Sequence, residues 1–390
     1  MTPPAAERIR TLPPYPFAVL NQRVRALQQA GKDIIRLDIG SPDMPPPEAV
    51  TETLYASAQR PDRHGYAGYK GTAGFREAIA AYYQRRFGVT LDPETEVLPL
   101  LGSKEGIVNL ALAYISPGDV VLTPAISYPA YAAGAHLAGG EAIFLPVSEK
   151  DGYLPDFTAI RPADAARAKL LWVNYPNNPT GSVADLDFYT QAVEFCRRNN
   201  LILASDNPYV DVTFDGYVAP SALQADGAKA CAVEFMSFSK TYNMAGWRLG
   251  AAVGNAEAIR NLLVVKSNVD SGHFHAVYDA GIVALQTPQA WIDERNGIYQ
   301  RRRDRILAVL PEIGLKAYKP AGSLYVWARV EDGDGGAYAE AALEAASVVI
   351  APGLIYGEAG RQYLRFSVGV PDDHLDEALE RLKRWFASRA

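Results

Sequence analysis

Through the middle of the chain, uninterrupted apolar runs alternate with stretches of helical period. Val120, Val121 and Leu122 follow one another with no polar break, so Asp119 to Thr123 reads as a strand buried on both faces. Lys169 to Tyr175, Leu201 to Ser205 and Phe235 to Phe238 read the same way, and Leu249 to Gly254 adds a shorter apolar segment. Between them, apolar residues recur three and four apart over Lys104 to Tyr114, Leu186 to Arg198 and Glu257 to Val265. Pro117-Gly118 stops the first of these helices. Such alternation predicts an α/β fold with a mainly parallel sheet between helices.

The last hundred residues have a different rhythm. Ile298 to Leu310 predicts a long basic helix, while Tyr325 to Val330, Val348 to Ala351 and Tyr363 to Val368 predict short strands. Asp372 is expected to cap a final helix with Leu375, Leu379, Leu382 and Phe386 on one face. Asp332-Gly333-Asp334-Gly335-Gly336 reads as a flexible exposed loop. The segment as a whole reads as a smaller α+β domain. A length of 390 residues also suggests two domains rather than one small core.

Composition narrows the function. The chain is 48% hydrophobic and 21% charged, as in soluble globular proteins. Its net charge of −6 gives no sign of a nucleic-acid surface. The basic runs Arg301-Arg302-Arg303 and Arg384 to Arg389 read as solvated helix faces. No apolar stretch approaches the ~20 residues of a membrane span, and no secretory signal is expected after Met1-Thr2-Pro3-Pro4. Two cysteines, Cys196 and Cys231, exclude a disulfide framework and suit a reducing cytoplasm. The pair His273 and His275 has no acid or thiol at ligand spacing, so no metal is expected. Neither a Walker loop nor a strand-borne Gly-x-Gly-x-x-Gly is present.

Chemistry concentrates where strands end. Ser237-Phe238-Ser239-Lys240-Thr241 leads to Arg248. Hydroxyls and a guanidinium around a lysine suit a cofactor with both an aldehyde and a phosphate, namely pyridoxal 5′-phosphate (PLP). Lys240 would form the Schiff base, and Ser237, Ser239 and Arg248 would hold the phosphate. Asp206, closing the run Leu201 to Ser205, would face the pyridine nitrogen, and Tyr209 would reach the phenolate oxygen. In Asn174-Tyr175-Pro176-Asn177-Asn178-Pro179-Thr180-Gly181, a rigid turn, Asn178 would donate to the same oxygen. Tyr128, just past a strand, would stack on the ring. Gly102-Ser103-Lys104-Glu105-Gly106 opens a helix whose first amides suit phosphate. Arg365, inside an apolar strand, needs an anion: a substrate carboxylate or an internal salt bridge.

Together these residues resemble the fold-type-I PLP-dependent aminotransferases of class I/II, from Leu37-Asp38-Ile39-Gly40 to Arg365. Gly-Ser-Lys-Glu-Gly-Ile, Asn-Tyr-Pro-Asn-Asn-Pro-Thr-Gly and Ser-Lys-Thr-Tyr-Asn-Met look most like LL-diaminopimelate aminotransferases. The resemblance implies a seven-stranded, mainly parallel sheet in a large PLP-binding domain, residues 46–290. The small domain would combine residues 1–45 and 291–390. It also implies that Ser103 and Lys104 hold phosphate, and that Gly40 and Arg365, with Asn178, bind the substrate carboxylate. Tyr66 would reach the neighbouring subunit's site, which implies a homodimer. Plant-type diaminopimelate enzymes carry a glutamate where Tyr69 stands here. Tyr15, Phe17, Tyr69 and Trp327 would equally suit an apolar or aromatic side chain, and aspartate, alanine and aromatic aminotransferases stay open as alternatives. The implied activity is ping-pong transfer of an α-amino group between an amino acid and a 2-oxo acid. A PLP-dependent β-lyase would use nearly the same cradle. A regulator with an aminotransferase-like domain is not expected, because about 36 residues before Leu37 leave no room for a winged helix.

Overall fold

The computed structural model describes residues 2–331 and 333–389. Its main sheet has seven strands in the spatial order Val97–Leu100, Gly250–Gly254, Ala232–Ser237, Ile202–Asp206, Ala168–Val173, Val120–Pro124 and Glu141–Leu145. Gly250–Gly254 runs antiparallel to both neighbours, and the other pairings are parallel.

Successive side chains of a strand point to opposite faces. Leu171 and Val173 accordingly enter one apolar cluster, with Tyr189, Val193 and Phe238. Leu170 and Trp172 enter another, with Ile107, Leu110 and Phe235. Both clusters are buried, which explains the missing polar alternation in these strands. Each fully buried Leu or Phe contributes roughly 1.5–3 kcal/mol, so these two layers dominate the stability of the sheet.

The flanking helices match the predicted periods within one or two residues: Ser103–Tyr114, Leu186–Asn199 and Ala256–Lys266. Asp185 starts the second by accepting from the Phe188 amide at 2.9 Å, and left-handed Asn200 ends it. Phe238 leaves its strand to start the one-turn helix Phe238–Thr241, because the Ser237 hydroxyl turns back to accept from the Ser239 amide. Two strands escaped the pattern. Val97–Leu100 contains Pro99, and Glu141–Leu145 is half solvated with Phe144 exposed. Both lie at sheet edges, where a proline and solvent-facing positions are tolerated.

A second, antiparallel sheet has the order Ala351–Pro352, Tyr363–Ser367, Tyr325–Val330 and Leu315–Lys316. Helices Gln289–Val309, Gly335–Ala346 and Asp372–Ala387 pack around it. Several expectations are corrected here. Val348 to Ala351 is two strands: Val348–Val349 pairs parallel with Ile35–Arg36, and Ala351–Pro352 joins the antiparallel sheet. Asp334 caps a helix through the Ala337 amide at 3.0 Å, and Gly335 and Gly336 form its first turn rather than a loop. Asp332 lies outside the described residues. Pro371 occupies the cap before the last helix, while Asp372 sits in its first turn, where a carboxylate favours the helix dipole. Arg302 and Arg303 are buried, not solvated, because Asp43, Asp372 and Asp215 neutralise them. Cys196 and Cys231 are free and buried. Among the described residues, no helix is long and apolar enough to cross a membrane.

Candidate active site

Parallel strands deliver their carboxyl ends to one edge of the sheet, and ligands bind there in folds of this kind. A cavity of about 530 Å³ opens at that edge. Asp206 ends one strand and Ser237 ends the next, while Tyr128 and Asn178 lie on the turns after two others. With Gly40, Ser103, Lys104, Tyr209, Ser239, Lys240, Arg248 and Arg365 they line the cavity. Tyr66 does not; it is 89% exposed on the outside of the chain. Tyr69 is also exposed, and Trp327 is buried against Tyr356 and Tyr363 rather than facing the cavity.

Lys240 projects from its one-turn helix, and its amine donates to the Gly40 carbonyl. Burial first, then Arg365 and Arg248, pushes its pKa down to about 7. Asp206 is 4% exposed. Burial raises its pKa to about 7, against the opposing Tyr131 hydroxyl, which donates to Oδ2 at 2.7 Å. Oδ1 has no partner. Burial also raises the Tyr209 phenol, whose oxygen lies 2.9 Å from that of Tyr325.

The amino-terminal end of helix Ser103–Tyr114 faces the same space. Gly102 precedes it at φ +83°, and a Cβ there would lie 2.4 Å from Arg248 Nη2. Glycine thus lets the guanidinium approach the helix amides. The Lys104 ammonium lies 4.1 Å from the centre of the Tyr15 ring, which also lines the cavity. Arg365 is 2% exposed. Its Nη1 donates to Asn178 Oδ1 at 2.8 Å and its Nη2 to the Asp38 carbonyl at 2.6 Å. Nε is unpartnered, and among the described residues no internal salt bridge neutralises the guanidinium.

Three side chains of the site carried no signal in the linear pattern. Tyr131, stacked on Trp172 at 4.7 Å, supports Asp206. Asn174 donates to the Asp206 carbonyl at 2.6 Å and accepts from the Asn178 amide at 2.8 Å. Tyr325 lies under Arg365, 3.9 Å from the guanidinium carbon. Asn174 and Tyr131 both stood within stretches already singled out, Asn174 to Gly181 and Ala125 to Tyr131, but neither had been given a role.

The profile of the family "Aminotransferase class I and II" matches residues 32–382. The chain belongs to the class I and II aminotransferases. It is 48% identical to the LL-diaminopimelate aminotransferase of Moorella thermoacetica, over 97% of each chain. It is 44% identical to that of Aquifex aeolicus, over 97% of this chain and 98% of the relative. Among solved structures, substrate-bound BacF from Bacillus subtilis superposes with a TM-score of 0.93 at 37% identity, over 98% of both chains. Aspartate aminotransferase from Thermus thermophilus with maleate gives 0.91 at 29% identity, over 98% of this chain and 100% of that one.

This aminotransferase uses pyridoxal 5′-phosphate. The residues present fit that group. An orphaned carboxylate oxygen on Asp206 suits a protonated ring nitrogen, and an amine with a pKa near 7 suits an aldehyde. The helix amides, two hydroxyls and Arg248 suit a phosphate dianion.

Proposed function

We propose that this aminotransferase acts on LL-diaminopimelate, with Lys240 as its covalent anchor and proton carrier. The carrying observation is the pair Lys240 and Asp206, facing one cavity that Arg365 also lines. The substrate assignment is supported by relatives of that name at 43–48% identity. When bound, PLP supplies an aldehyde carbon that condenses with an amine and a cationic ring that accepts the electron pair of the substrate Cα–H bond. Asp206, held through Oδ2 by Tyr131, would be ionised by the cationic ring beside it. Tyr209 and Asn178 bind the phenolate oxygen, and Tyr128 covers the ring face. Ser103, Ser237, Ser239, Arg248 and the backbone of Lys104 hold the phosphate. Arg365 takes the substrate α-carboxylate with help from the Gly40 backbone, its fork already oriented by Asn178 and Asp38. With its amine free, Lys240 would take the proton from the substrate Cα and hold it for delivery to the cofactor's aldehyde-derived carbon, two bonds from Cα across the nitrogen. An amine with a pKa near 7 is half neutral at neutral pH and serves as a base there.

The same reading includes the division into a large domain, 46–290, and a small domain, 1–45 with 291–390. Separate apolar clusters around Leu171 and around Tyr299 support it. It also includes a cytoplasmic homodimer, in which Tyr66 reaches the neighbouring phosphate. Exposed Tyr55, Tyr66, Tyr69, Val269 and Phe274 support such an interface.

Half-reactions followed through the bound cofactor's absorbance test the substrate. LL-diaminopimelate is expected to convert faster than aromatic or aliphatic donors, and the reverse order overturns the assignment. In Lys240→Ala, borohydride is expected to fix no cofactor to the chain, with activity down by ~10²–10⁴-fold or more.

A further inference from the structure

Arg295 is buried, at 2% exposure, in the middle of helix Gln289–Val309. It lies outside the cavity and touches none of the cofactor-facing atoms. Its hydrogen-bond partners are neutral. Nη1 donates to the Lys240 carbonyl at 2.7 Å and also to the Thr241 carbonyl. Nη2 donates to the Asp211 carbonyl at 2.6 Å and to Asn296 Oδ1 at 2.7 Å. Asn296 in turn donates to the same Asp211 carbonyl at 3.0 Å. Nε is buried without a partner among the described residues.

A guanidinium is costly to desolvate, and its usual reward is a carboxylate or phosphate. Here it meets backbone instead. Two of the carbonyls end the one-turn helix that carries Lys240, where unpaired C=O groups carry the negative end of the helix dipole. The third belongs to the segment that continues from Asp206 and Tyr209. One rigid fork therefore spans the two loops whose side chains must oppose each other across the cofactor. The helix that supplies it reaches both cores: Ile292 packs in the large sheet's cluster, Tyr299 and Ile306 in the other.

We propose that Arg295 is a positioning residue for the transamination, holding the Lys240 turn at a set distance from the Asp206–Tyr209 segment. This inference rests on the roles proposed for Lys240 and Asp206. A lysine in this place would keep the charge but span one loop at a time. Methionine would keep the volume but leave the Lys240 and Thr241 carbonyls unbonded and the Asp211 carbonyl with Asn296 alone.

Holoenzymes carrying Arg295→Met and Arg295→Lys test the idea beside wild type. In Arg295→Met, kcat of the half-reaction is expected to fall roughly 10²-fold, the scale of a 1 Å misplacement. KM for the amino donor should move less than about threefold, since the carboxylate site is untouched. Borohydride should fix cofactor at position 240 more slowly than in wild type, a readout independent of turnover. Arg295→Lys should fall between, and added guanidinium ion should restore part of both losses in Arg295→Met. Wild-type kcat and fixation rate in either variant overturn the proposal, whatever the melting temperature. So does a loss that tracks melting temperature alone and that guanidinium does not relieve. Should Arg295→Met fail to fold, Arg295→Lys carries the same test. Failure of wild type to fix cofactor at Lys240 would instead sink the underlying assignment.

Discussion

Asp206 and Lys240 occupy one cavity, and burial drives each toward its uncharged form. For Asp206 the folded pKa, about 7, lies above the ordinary ~3.9 of an unfolded aspartate. Its stabilising contribution is therefore full below pH ~4 and is lost as pH rises through about 7. Cofactor-free Asp206→Asn should then exceed wild type in stability at pH 8, by up to about 4 kcal/mol, and match it near pH 4. Urea unfolding at the two pH values decides this; a pH-independent difference would contradict the buried carboxylate. For Lys240 the sign is opposite: the uncharged amine becomes available as pH rises through about 7. The rate at which cofactor-free protein captures PLP covalently should rise over that range, whereas a rise centred near 10 would mean a solvated amine. At this scale the strand-end residues were legible, because an acid or lysine at the end of an apolar run is conspicuous. Tyr131 and Tyr325 were not, since a tyrosine among 22 gains its role only from what it faces.

The phosphate end of the proposed site is a matter of elements. Helix Ser103–Tyr114 contributes its free amides, and Gly102 lets Arg248 lie against them. Gly102→Ala should push the guanidinium aside and strain a left-handed backbone position. The expected result is a dissociation constant for PLP raised roughly tenfold or more, the worth of one charge-assisted hydrogen bond. Fluorescence titration of cofactor-free protein measures it, and unchanged affinity would show that Arg248 relocates freely. The central strands and their helices were readable because burial on two faces leaves an unbroken apolar signature. The edge strand Glu141–Leu145 lacks that constraint, Pro99 masks the other edge strand, and the Arg302 and Arg303 environments depend on Asp43 and Asp215, far away in the chain.

On the scale of the whole molecule, the exposed Tyr66 is the test of the proposed homodimer. Tyr66→Ala chains and Lys240→Ala chains, each impaired alone, should regain activity when unfolded and refolded together. Mixed dimers then contain one site with both residues intact, so no gain on mixing would place Tyr66 outside any shared site. The division of labour between the two sheets was readable from the change in rhythm near residue 298, but their contact was not. Arg365 meets Asn178 across 187 positions, and Arg295 meets Lys240 across 55.

The linear chain by itself determined the alternation of strands and helices, the chemistry stationed at strand ends, and hence the cofactor. Those follow from local periodicity and from the rarity of buried charge. Only the tertiary structure decided which groups meet: Tyr131 with Asp206, Tyr325 with Arg365, Arg295 with the lysine turn. Such contacts depend on the order of strands in the sheet and the packing of one sheet against the other, and no local pattern encodes either.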